Sequence, residues 1–207
     1  MLRLLANVRK FHPKNRSRRK LPLPLAWNLR VAKVGTAVIA FDSTEAFTLD
    51  DAGELEQYRP RVLVGSAADL RRLAERIKSG KLSLPTVDHA IFVITQCGKK
   101  PLTDFVRVLL WQAFGVPLYE LLISPEGTLL ASECEAHEGW HVEPGAAFSV
   151  NHRKLLVDFA DRKRLATGIS GYIETEPCPC GRAGMRLLPL EAKIEAAPRQ
   201  AFAAIAS

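Results

Sequence analysis

Two short segments carry residue types that could hold a metal ion. Cys178-Pro179-Cys180-Gly181 puts two thiols on a tight turn, with a proline to stiffen it and a glycine that lets amides approach the sulfurs. Cys134 with either His137 or His141 supplies a second pair. Thiolate and imidazole are ligands that zinc takes in a tetrahedron, and a close pair on one turn limits the entropy lost when the site closes. Spacing alone leaves His137 and His141 as equals. The two segments lie far apart in sequence, so a metal would clip a long loop. A catalytic zinc keeps an open position and fewer cysteines, so the role expected here is structural. The competing reading is small core residues or exposed thiols. The fourth cysteine, Cys97, follows an apolar run and is expected in the core.

The bulk composition places these residues in a folded, soluble setting. Apolar residues make up 47% of 207, enough for a real core. No apolar stretch of about 18 residues exists, and the first residues do not read as a secretory signal, so the cytoplasm is the expected location. There, cysteines serve as thiols or metal ligands more often than as disulfides. The net charge of +7 is uneven. Residues 1–33 hold ten Lys/Arg and no acid, while the rest holds 19 basic against 22 acidic residues. Residues 1–24 form a basic arm that could touch nucleic acid, an anionic membrane or a protein partner, or stand as a solvated tail.

The elements that must position the cluster follow from periodicity. Thr36–Phe41 reads as a buried strand, Thr48–Tyr58 as a helix stopped by Pro60, and Arg61–Gly65 as a second strand. Ser66 caps a helix running through Lys78, which Ser79-Gly80 ends. Val87–Thr95 is a third strand, Leu102–Phe114 a helix with Phe105, Val108, Leu109 and Ala113 inward, and Val116–Ile123 a fourth strand. Alternation at this spacing predicts an α/β fold, a mainly parallel sheet of β-α-β units. After Ile123, turn signals crowd in between short β-prone pieces at 129–132, 147–150 and 155–159. These predict a small, mostly antiparallel, β-rich region clipped by the metal. The Ala-rich segment from Leu188 to Ser207 reads as helical, interrupted by Pro198. The expected organisation is an arm at 1–24, an α/β core at 25–123, the β-rich region at 124–187 and a helical tail at 188–207.

Several strings together resemble one family. They are Tyr58-Arg-Pro-Arg-Val-Leu-Val-Gly65 with Ser66-Ala-Ala-Asp-Leu70, Phe114-Gly-Val-Pro-Leu-Tyr-Glu-Leu121, Ala131-Ser-Glu-Cys-Glu135 with Gly139-Trp-His-Val142, and Cys178-Pro-Cys-Gly-Arg182. The chain resembles the phenylacetate–CoA ligase group of adenylate-forming enzymes over roughly residues 28–185. Members are more than twice as long. The resemblance implies activation of an acid with ATP and transfer of the acyl group to coenzyme A. It also implies His141 over His137, giving a zinc set of Cys134, His141, Cys178 and Cys180.

The same resemblance implies losses. The family's aromatic-Gly-x-Thr-Glu turn falls on Leu122-Ile-Ser-Pro-Glu126, where only Glu126 survives as a remnant of the magnesium and adenylate motif. Pro125 removes a hydroxyl and an amide proton. The family's Thr-Gly-Asp aligns with Thr167-Gly168-Ile169, and isoleucine cannot accept hydrogen bonds from a ribose. No counterpart of the phosphate loop or of the lid with its lysine is legible, and Lys99 and Lys100 read as solvated. The expectation is a binding or accessory module with no catalytic residue of its own, for which ATP and coenzyme A are doubtful ligands. Alternatives are an acyl-CoA ligase subunit completed by a partner chain, and a nucleic-acid or membrane-surface binder working through the arm.

Overall fold

The computed structural model describes residues 29–35, 44–159 and 164–190. They form one mixed sheet of eleven strands and three helices. The elements in chain order are β1 (Val31–Val34), β2 (Thr44–Phe47), α1 (Ala52–Tyr58), β3 (Val62–Ser66), α2 (Ala67–Lys78), β4 (Ala90–Gln96), α3 (Asp104–Phe114) and β5 (Leu118–Ile123). Then come β6 (Leu129–Glu133), β7 (Trp140–Val142), β8 (Ala147–Asn151), β9 (Lys154–Asp158), β10 (Arg164–Glu174) and β11 (Arg186–Pro189). The spatial order is β2-β1-β3-β4-β5-β6-β7-β11-β10-β9-β8.

The first five strands in that order pair in parallel. Their side chains alternate between two apolar layers, as the pleat demands. Ala32, Val34, Leu63, Ile91, Val93 and Leu118 pack with Leu55, Leu70, Leu73 and Leu110 of the helices. Val31, Val62, Val64, Phe92, Tyr119 and Leu121 form the layer on the opposite face. Helix α2 starts where its chemistry says it should. The Ser66 hydroxyl accepts the Asp69 amide at 3.1 Å and donates to the Asp69 carboxylate at 2.8 Å.

Direction reverses after β5. The Ser124 hydroxyl accepts the Glu126 amide at 3.2 Å and the Thr128 amide at 3.1 Å, closing a turn too short for a crossover. Every later pairing is antiparallel. The sheet is therefore mixed, and the expected mainly parallel arrangement holds only for its first half. The antiparallel strands extend the same sheet through β5 and β6, with a third apolar cluster of Leu122, Leu130, Trp140, Leu155, Val157, Ile169 and Leu187 beneath them.

Other expectations need correcting. Helix α1 begins at Ala52, not Thr48, because Thr48 is bonded by its amide and hydroxyl to the Asp51 carboxylate, both at 2.8 Å. Arg59, in the left-handed region at φ 53°, ends that helix ahead of Pro60. Helix α3 buries only part of the expected face, Leu109 and Ala113. Phe105 and Val108 are exposed, while Leu110 is buried and Val106, Leu109 and Ala113 pack against the core. Apolar residues surround α3 on nearly all sides, so periodicity could not choose the face. Leu188 and Pro189 end β11 and are not helical. The strand expected at Thr36–Phe41, the arm at 1–24 and the tail beyond Leu190 lie outside the described residues.

Candidate metal centre

Four strand ends converge on the cluster. Cys134 directly follows β6, and its carbonyl accepts the His137 amide at 3.0 Å in a tight turn. His141 lies in β7, opposite Ser132 of β6 on one side and Arg186 of β11 on the other. Cys178 and Cys180 sit on the turn between β10 and β11, closed by the Gly181 amide on the Cys178 carbonyl at 2.9 Å. Gly139 makes the approach of the two loops feasible. It sits at φ 88°, and a Cβ there would stand 2.5 Å from the Leu187 carbonyl oxygen.

The ligand atoms of Cys134, His141, Cys178 and Cys180 all lie within 4.8 Å of one another. The Cys134 and Cys178 sulfurs are 3.6 Å apart, and the Cys180 sulfur is 3.3 Å from His141 Nε2. Zinc–sulfur bonds of about 2.3 Å and zinc–nitrogen bonds of about 2.0 Å imply tetrahedral edges of roughly 3.8 Å between sulfurs and roughly 3.5 Å between sulfur and nitrogen. The donor set and its spacing therefore fit a tetrahedral ion. Three of the four are shielded from solvent: Cys134 is fully buried, and His141 and Cys178 nearly so, while Cys180 is half-buried.

Burial pushes the Cys134 thiol up to about 11, helped by the neighbouring Cys180 and Cys178 sulfurs. For Cys178, burial works upward as well. The Cys180 amide, hydrogen bonds with Cys180 and Cys134, and the Arg186 charge outweigh it, and the net shift is downward. Burial, with the charges of Arg182 and Arg186, holds His141 below the usual imidazole range and so in the neutral form a metal binds. His137 goes elsewhere. Its Nδ1 lies 2.8 Å from the Glu133 carboxylate, and its ring stacks on Tyr119 with centroids 5.5 Å apart. Cys97 is half-buried against the third apolar cluster, away from the other thiols, and burial followed by the Glu126 charge raises it to about 11.

The remnant motif positions also come together. The Gly98 amide donates to the Thr167 carbonyl at 2.8 Å, and Gln96 donates to the Pro125 carbonyl at 3.1 Å. The end of β4, the β5–β6 turn and β10 thus meet. The side chains there are turned to structure. Leu122 and Ile169 are core residues, the Thr167 hydroxyl donates to the Leu155 carbonyl at 2.8 Å, and Glu126 is exposed on its turn. Lys99 and Lys100 are exposed, as expected.

Sequence reasoning gave no role to a second set of charges. Glu120, 2% exposed, accepts from the Thr95 hydroxyl and from the Leu102 amide at 2.8 Å. Glu133 accepts the Glu120 amide at 2.8 Å and Arg107 at 3.2 Å. Glu120, Glu133, Arg107 and Arg186 line a cavity of about 1620 Å³ walled by Trp111 and Tyr172. The available signal was a charge inside an apolar strand, Glu120 in Leu118–Ile123 and Arg186 at the head of β11.

No protein-family model matches the chain, and no curated protein matches it. Solved structures do. A 2-hydroxyisobutyryl-CoA ligase with 2-HIB-AMP and CoA aligns at TM-score 0.58 and 15% identity, over 77% of this chain and 44% of that one. VinN aligns at 0.52 and 11%, over 78% and 50%. Coronafacic acid ligase from Pectobacterium brasiliense aligns at 0.51 and 12%, over 78% and 39%. The chain spans half or less of the length of these proteins. At these identities the likeness is one of fold: the chain shares the fold of part of these proteins.

Proposed function

We propose that the chain is a zinc-stabilised partial adenylate-forming domain, of the phenylacetate–CoA ligase type, that serves as a binding or accessory module and does not adenylate by itself. The convergence of Cys134, His141, Cys178 and Cys180 within 4.8 Å carries the reading. Bound there, zinc would supply cross-links and no reaction chemistry. The residues tie the end of β6 and β7 to the turn between β10 and β11, across a sequence gap that is costly to close by loop ordering alone.

The lack of autonomous adenylation rests on the side chains at the remnant motif. Stabilising the charge that develops in phosphoryl transfer needs positioned donors and a metal-binding carboxylate. Pro125 offers neither hydroxyl nor amide proton, and Ile169 is buried in the core where a ribose-binding carboxylate would be required. Calorimetry with ATP, and ATP–pyrophosphate exchange with a panel of carboxylic acids, test this. Neither heat nor exchange is expected from the chain alone. Acid-dependent exchange by the isolated chain contradicts it.

A second reading has its own support. The chain spans half or less of the ligases it matches, and α3 presents Phe105, Val108 and Trp111 at 68%, 54% and 53% exposure. A partner chain that completes the ligase would cover such a face. Under that reading exchange appears when the partner is added, and Trp111→Lys abolishes it.

A further inference from the structure

Among the described residues, three buried side-chain polar atoms lack a hydrogen-bond partner: His141 Nδ1, Arg182 Nη1 and Arg186 Nε. All three belong to the cluster or flank it. Buried polar groups are nearly always satisfied, and an unsatisfied guanidinium nitrogen is expensive. Two of the three are guanidinium nitrogens, so positive charge is held beside the cluster without complete pairing.

Arg186 is the most constrained of them. It is 5% exposed, and its β-sheet partner is the ligand His141. One Nη1 bond of 2.9 Å reaches the Glu138 carbonyl, on the loop between Cys134 and His141. One Nη2 bond of 3.3 Å reaches the Glu176 carbonyl, two residues before Cys178. A single side chain thus bridges both ligand-bearing loops. Its nearest carboxylate, that of Glu138, is 3.5 Å away and more than half exposed, so it does little to balance the buried charge. Arg182 follows two residues after Cys180, gives its amide to the Cys180 sulfur at 3.4 Å and is held 3.7 Å from Glu143.

Zinc with three thiolates and a neutral imidazole carries one net negative charge. We infer that Arg186, assisted by Arg182, is the positioning residue of this centre: it sets the distance between the two ligand loops and offsets the charge of the thiolates. The inference rests on the zinc reading above. It explains why one arginine is kept buried and a second half-buried beside three thiols, and why the buried one is shared between the loops. Removing such outer partners of a metal site costs about 10- to 100-fold in affinity.

The test measures zinc in the purified full chain, its affinity by competition with a chromophoric chelator, and melting temperature with zinc and after chelation. Wild type is expected to hold one zinc. Arg186→Met should weaken the affinity by about 10- to 100-fold and shrink the gap between the loaded and chelated melting temperatures, and Arg186→Lys should recover part of both. A merely structural arginine would lower both melting temperatures together and leave the gap intact, which overturns the inference. Arg182→Met, which leaves the Arg186 bridge between the ligand loops intact and removes only a part-exposed 3.7 Å ion pair with Glu143, gives a second reading of the charge effect and should lose affinity by a smaller factor. Unchanged affinity in both methionine variants overturns the inference while the zinc assignment stands. A wild-type protein without zinc overturns the assignment itself.

Discussion

Replacing Glu120 by Gln should flatten one component of the protein's pH–stability curve. Glu120 has two hydrogen-bond donors and two charged neighbours: the Thr95 hydroxyl and Leu102 amide donate to it, Glu133 lies across the strand pair and Arg107 reaches from α3. Burial dominates, opposed by those two donors, and the carboxyl is raised from 4.5 to about 7. In the unfolded chain it titrates near 4.5, so between these values the native state holds a proton that the unfolded state has lost. Stability from this group is complete below the unfolded value and is lost as pH rises through the folded one. The displacement corresponds to about 3 kcal/mol. Gln keeps the carbonyl oxygen that accepts from Thr95 and Leu102 and stays neutral. Urea unfolding of both proteins at pH 4, 5, 6, 7 and 8 checks this. Wild type should lose about 3 kcal/mol relative to the variant across the series, most of it between pH 5 and 7. Contributions from the cysteine cluster are common to both and cancel. Parallel curves would refute the claim that Glu120 is held proton-bound by burial.

Two further outcomes follow from the loop geometry and the thiols. Gly139→Ala should destabilise by about 2 kcal/mol or more, since φ is 88° and the added Cβ would lie 2.5 Å from the Leu187 carbonyl oxygen; thermal unfolding measures it, and zinc content should fall with it. Titration with an aromatic disulfide should find Cys97 alone slowly reactive in zinc-loaded protein and three more thiols after chelation, whereas four equally reactive thiols before chelation would count against a bound metal.

How much was legible in the sequence depended on whether one residue type had one reading. Ser66 before an amphipathic run has a single physical use as a cap, and helix α2 starts there. The Cys-x-Cys turn likewise has few uses, and the structure brings it to Cys134 and His141. Helix α3 is apolar nearly all round, so the face it buries was decided by packing against α2 and β5 and not by its own period. Strand β10 alternates buried and exposed residues, yet with two glycines, two small polar residues and Arg164 it carries a weak β signal. Its pairing with β9 and β11 is a long-range fact that no local window contains. His137 and His141 were equal by spacing. What separated them in space was a competing partner: Glu133 and Tyr119 engage His137, while β7 directs His141 toward the thiols. The arginines were missed because a charge near a cysteine reads as solvated surface until the strand register places it opposite a ligand.

The central claim is that one zinc ion ties the two loops through these four side chains. Metal analysis of purified wild type beside Cys178→Ser tests it most directly. Close to one zinc per wild-type chain, and a large loss in the variant, is the predicted result. No zinc in wild type, or equal zinc in the two proteins, would contradict it.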